Sequence, residues 1–89
     1  MKYYLTTTIK KIGSNSLCVY LLASWGLETG MEVNVELRRA EASENDPVFT
    51  FISTVRSAST AGGTRLTIPK IFGFNHGEWI TFSLEPIEG

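Results

Sequence analysis

The feature that most constrains the fold is an internal repeat with a period of 47 residues. Laid over one another, SLCVYLLASWGLETGMEVNVEL (residues 16–37) and GTRLTIPKIFGFNHGEWITFSL (residues 63–84) bring Gly26 onto Gly73 and Gly30 onto Gly77. Val19, Leu21, Leu27, Val33, Val35 and Leu37 fall on Leu66, Ile68, Phe74, Ile80, Phe82 and Leu84. The chain has 89 residues, and a chain of that size buries only about 60–65% of the surface its unfolded form exposes. Pairing of the two halves with each other, or with another chain, would help. The sequence therefore predicts a single domain, 1–89, made of repeats 1–38 and 48–85 joined by a linker, 39–47.

Each unit reads in the same order. A β-rich segment comes first, Tyr3 to Ile12 or Val48 to Arg56, rich in residues that favour strands. A turn follows, GSNS at 13–16 or STAGG at 59–63, where glycine and asparagine tolerate positive φ. A second short strand, Leu17 to Leu22 or Arg65 to Ile68, leads into at most one helical turn, LASWG or PKIFG. Gly26 or Gly73 can end that turn in the left-handed conformation. The turns ETGM and NHGE then open a last strand, in which Val33, Val35 and Leu37, or Ile80, Phe82 and Leu84, share one face. The fold class is mainly β with only one-turn helices.

Charge follows the same rhythm. Residues 1–23 carry Lys2, Lys10 and Lys11 and no acid; residues 47–72 carry Arg56, Arg65 and Lys70 and no acid. The segments 24–46 and 73–89 sum to −4 and −3, for an overall net charge of −1. A slightly acidic molecule with basic segments alternating in this way can present one basic face. The apolar runs fall far short of the roughly 20 residues that span a bilayer, and MKYYLTTTIKK lacks the apolar stretch of a secretory signal. No membrane association and a cytoplasmic location are expected. The one cysteine, Cys18, cannot make an internal disulfide or a cysteine-based metal site. His76 is the lone histidine and lies in an acidic turn, and no nucleophile motif or phosphate-binding glycine loop accompanies it. Neither enzyme activity nor a cofactor is expected.

These residues carry a family resemblance. IKKIGSNSLCVYL followed by GLETGMEVNVEL resembles the amino-terminal pattern of MazE-like antitoxins, and GGTRLTIPK followed by GFNHGEWITFSLEP is similar to the AbrB pattern of the same SpoVT/AbrB superfamily. Tyr20 and Leu22 stand where the antitoxin pattern carries arginine and proline. The resemblance implies a swapped-hairpin β-barrel of two interlocked ββαβ-type units, here joined covalently as a pseudo-dimer, with homodimerisation also open. It implies a DNA-binding transcriptional regulator that holds double-stranded DNA on a basic face. Onto the family's contact turn it carries Lys10, Lys11, Asn15 and Ser16, and in the second unit Arg65, Thr67 and Lys70. The charge pattern adds Arg56. Lysine and arginine would neutralise phosphates, while asparagine, serine and threonine would hydrogen-bond phosphates or base edges. Pseudo-twofold symmetry would favour a roughly palindromic site.

Two other readings stay open from the residues alone. One is an antitoxin-like or adaptor module that pairs with a partner protein and has weak DNA binding or none. The other is a small β-barrel of different topology that binds RNA or protein. Trp25, Phe72 and Trp79 read as core or subunit contacts, and Cys18 as a small packing residue on the strand face of Tyr20.

Overall fold

The computed structural model describes residues 2–13, 16–41, 46–58 and 63–87. Among these residues eight strands follow one another: β1 (Tyr3–Thr8), β2 (Lys10–Ile12), β3 (Ser16–Tyr20), β4 (Glu32–Arg39), β5 (Phe49–Thr54), β6 (Arg56–Ser57), β7 (Thr64–Ile68) and β8 (Trp79–Pro86). Single 3-10 turns at Ala23–Trp25 and Lys70–Phe72 separate β3 from β4 and β7 from β8. The order of two strands, a third strand, a 3-10 turn and a long strand thus occurs twice. Both 3-10 turns end on a left-handed glycine, Gly26 at φ 67° and Gly73 at φ 76°, a conformation that only glycine adopts without cost.

All the pairings are antiparallel and form two four-stranded sheets, not one closed ring. The first sheet runs β1-β8-β4-β5 and the second β2-β3-β7-β6. In the first sheet each half lends its opening strand to the other half's last strand: β1 pairs with β8, and β5 with β4. In the second sheet the hairpins β2-β3 and β6-β7 stay within their halves and meet along β3-β7. Both central ladders are centred on residues 47 apart in sequence. Glu36 faces Ser83 (83 less 36) and Val19 faces Leu66 (66 less 19).

The segments Tyr3 to Ile12 and Val48 to Arg56 are not single strands. Each breaks at one wholly buried residue, Ile9 or Val55, where the chain leaves the first sheet and enters the second. Ile9 N–H donates to Glu78 O (3.0 Å) and Gly77 N–H to Ile9 O (2.8 Å); Val55 N–H donates to Met31 O and Gly30 N–H to Val55 O, both 2.8 Å. Each crossing is held by the turn that precedes the other half's last strand. The expected linker is shorter than 39–47 at its start, because β4 continues to Arg39, and its residues 42–45 lie outside the described residues.

One apolar cluster fills the space between the sheets. Val33, Val35, Leu37, Ile80, Phe82 and Leu84 come from the first sheet, and Val19, Leu66 and Ile68 from the second, with Ile9 and Val55 at the crossings. Trp25 and Phe72, on the two 3-10 turns, pack against this cluster. Trp25 lies 5.1 Å from Tyr3 and Phe72 lies 4.7 Å from Phe49, centroid to centroid. Trp79, by contrast, is exposed on β8.

Truncation separates the crossings from surface apolar residues. Ile9→Ala is expected to lower unfolding stability by about 2–5 kcal/mol, the cost of a buried aliphatic truncation. Ile71→Ala, at a side chain 88% exposed, should change it by no more than about 0.5 kcal/mol. Urea unfolding of both variants checks this, and similar losses would contradict the account of the crossings.

Candidate nucleic-acid interface

Alternation along β3 and β7 decides what the second sheet shows to solvent. Val19, Leu66 and Ile68 point into the core, so Ser16, Cys18, Tyr20, Arg65 and Thr67 point outward. Residues directly opposite in an antiparallel pair share a face. Lys10 is opposite Cys18, which is opposite Thr67. Tyr20 is opposite Arg65, which is opposite Arg56. The outer face therefore holds one row Lys10–Cys18–Thr67 and, beside it, a row Tyr20–Arg65–Arg56.

Five of the expected contact residues meet on this face: Lys10, Ser16, Arg56, Arg65 and Thr67. Three do not. Lys11 is exposed but stands opposite Leu17, which packs on the core, so it lies on the other side of β2 from Lys10. Lys70 opens the second 3-10 turn, exposed and outside the sheet. Asn15 lies outside the described residues.

The electrostatics of the face are one-sided. None of β2, β3, β6 and β7 contains an acidic residue. Among the described residues Lys10, Arg56 and Arg65 have no carboxylate within ion-pair distance. Arg56 and Arg65 stand directly opposite each other, and like charges in that position destabilise a sheet. Arg65 is half-buried, and its Nε is enclosed without a hydrogen-bond partner. On the side of the first sheet two cations are paired instead. Lys2 lies 3.9 Å from Glu36, and Arg39 Nε donates to Glu78 Oε2 while its guanidinium sits 4.6 Å above the Phe74 ring.

The dimensions of the face follow from the strand order. Neighbouring strands are about 4.8 Å apart, so the edge strands β2 and β6, which carry Lys10 and Arg56, are separated by about 14 Å. Arg65, Thr67 and Tyr20 lie between them on the two central strands.

Sequence reasoning did not pair Lys10 with Arg56. The period of 47 puts Lys10 over Ser57, whereas the opening strands correspond at 46: Leu37 faces Phe49 where Leu84 faces Tyr3. The strand register shows that Lys10 and Arg56 hold equivalent positions. An alignment that allowed one gap in the turn region would have found it.

Cys18 belongs to the outward set yet is fully covered, and it lies outside the main apolar cluster. Burial pushes its thiol above the ordinary value of 9.0, against smaller opposing pulls from the Arg65 charge and the Tyr20 hydroxyl. Among the described residues no group of three or more histidine, cysteine, aspartate or glutamate side chains is placed to hold a metal ion. No helix among them is long and apolar enough to cross a membrane. Compared with protein-family models, curated proteins and solved structures, the chain matches none.

The shifted thiol has a consequence for stability. A folded-state pKa above the unfolded value leaves stability untouched below the unfolded value. Above it the unfolded thiol ionises first, so stability falls as pH rises. The stability advantage of the chain over a Cys18→Ala variant should be constant at neutral pH and shrink as pH rises past the ordinary 9.0. Urea unfolding of both between pH 7 and about 10 reads this; a difference that stays constant throughout would contradict it.

Proposed function

We propose that this protein binds duplex DNA with the outer face of its second sheet and acts as a transcriptional regulator of the AbrB/MazE-like kind. The observation that carries this reading is the cluster of Lys10, Arg56 and Arg65 on a sheet whose strands hold no acids, including two arginines opposite each other with no counter-charge among the described residues. A polyanion lying across the face supplies that counter-charge. The exchanged opening strands and the ladders centred on residues 47 apart support reading the fold as a tandem swapped-hairpin barrel. So does the resemblance of IKKIGSNSLCVYL and GGTRLTIPK to the family's contact segments.

The size of the face suits a groove. A major groove is about 12 Å wide, slightly less than the roughly 14 Å between the edge strands. Lys10 and Arg56 then lie over the phosphates on the two sides, and the central strands β3 and β7 face the base edges. A two-stranded ribbon is what that groove admits. In such a complex the edge cations supply affinity, and the central side chains supply any preference among bases.

Binding to a short duplex, followed by fluorescence anisotropy across a salt series, tests this. Affinity should fall linearly with salt on logarithmic axes. Lys10→Ala and Arg56→Ala should each reduce the slope by about 0.9, one phosphate's share of counterion release. Arg39→Ala, which removes a cation already paired with Glu78, should leave the slope unchanged. No affinity at low salt, or affinity indifferent to salt, would overturn the proposal.

A further inference from the structure

The two halves of the basic face are equivalent in position but not in chemistry. The register relates Lys10 to Arg56, both cations on edge strands. It relates Cys18 to Arg65, opposite those cations on the central strands, and Tyr20 to Thr67. The edge positions therefore carry the same charge in both halves. The central positions do not. Arg65 offers a planar guanidinium, a rigid fork of donors that matches the O6 and N7 acceptors of guanine. Its counterpart Cys18 is fully covered and offers no charge and no donor to the surface.

We infer, building on the DNA-binding reading above, that this interface is symmetric toward phosphates and one-sided toward bases. Lys10 and Arg56 clamp the two sides of the groove equally, and Arg65 alone reads guanine, so the preferred duplex is non-palindromic, with its required guanine on one side of the centre. The offset is small. Cys18 and Arg65 are diagonal neighbours across the central ladder, about 7–8 Å apart, so Arg65 lies about half that distance from the axis, roughly one base step of about 3.4 Å. Thr67 and Tyr20, the other central pair, add hydroxyls that can accept or donate and so favour no base strongly. The central ladder sets the symmetry axis, and one charged side chain beside it breaks the symmetry of the readout. A roughly palindromic site, the expectation from pseudo-twofold symmetry alone, is replaced by a polar one.

Selection of sites from a pool of random duplexes with the full chain tests this without any variant. The expected result is a consensus that differs from its own reverse complement, with one invariant guanine off centre on one side. Arg65→Lys keeps the charge and removes the fork. It should weaken binding to the selected site by about tenfold or more, while affinity for random duplex changes by less than about twofold. Lys10→Ala, in contrast, should weaken binding to both duplexes alike. A palindromic consensus with guanine in both halves would overturn the inference, as would salt-dependent binding with no base preference; both results leave duplex binding standing. Failure to bind any duplex at low salt would overturn the inference together with the reading on which it rests. Far-UV circular dichroism of Arg65→Lys separates a lost contact from a lost fold, and the selection with the unaltered chain decides the question in either case.

Discussion

Two buried crossings, at Ile9 and Val55, hold the architecture together. At each the backbone turns from one sheet into the other inside the apolar core, where unpaired N–H and C=O groups are costly. Both groups of both residues are satisfied, and in each case the partners belong to the turn before the other half's last strand. The hairpins of the second sheet are thereby tied to the strands of the first. Neither half completes the first sheet alone, since among the described residues β1 pairs only with β8 and β5 only with β4. A unit of some forty residues too small to bury its own core gains one by exchanging its opening strand.

Much of this was legible in the sequence, and for a specific reason. Both central ladders are centred on residues 47 apart, and Val19 opposite Leu66 is one of the matches that the overlay of the halves itself contains. Alternation in Val33, Val35 and Leu37, and in Ile80, Phe82 and Leu84, correctly marks the buried side of the long strands. The glycines that close the 3-10 turns were readable too. The crossings were not, because Ile9 and Val55 continue the apolar alternation of the strands before them. Nothing local distinguishes a strand that bends into another sheet from one that runs straight on; the bend is decided by partners more than twenty residues away.

The candidate face was half legible for the same reason. Lys10 and Lys11 are adjacent in sequence, so composition treats them as one basic element. A strand sends neighbours to opposite sides, and the register opposite Cys18 and Leu17 decides which lysine joins Arg65. Lys70 carries the same formal charge but belongs to a 3-10 turn outside the sheet. Arg38 and Arg39, which the charge count placed in an acidic segment, lie on the first sheet, where Glu78 neutralises Arg39. Net charge thus says little here. A molecule at −1 overall can concentrate unmatched cations on one sheet because its acids sit almost entirely on the other sheet, the turns and the linker.

Joining the two halves in one chain has a consequence beyond assembly. Covalent linkage holds the second half at high effective concentration and removes the dilution that a dimer suffers. It also lifts the constraint that symmetry places on an isologous pair, where every substitution appears twice, once on each side of the axis. In a dimer of identical units an arginine at the central position would appear on both sides of the axis, and so would a buried cysteine. Here Arg65 occupies one of two equivalent positions and Cys18 the other, each compatible with the same backbone register. The edge positions carry a cation in both halves, Lys10 and Arg56, while the central pair differs. In the duplex-binding reading proposed above, that division suits a clamp common to both halves: contacts that hold the backbone must balance about the axis, and those that read bases need not.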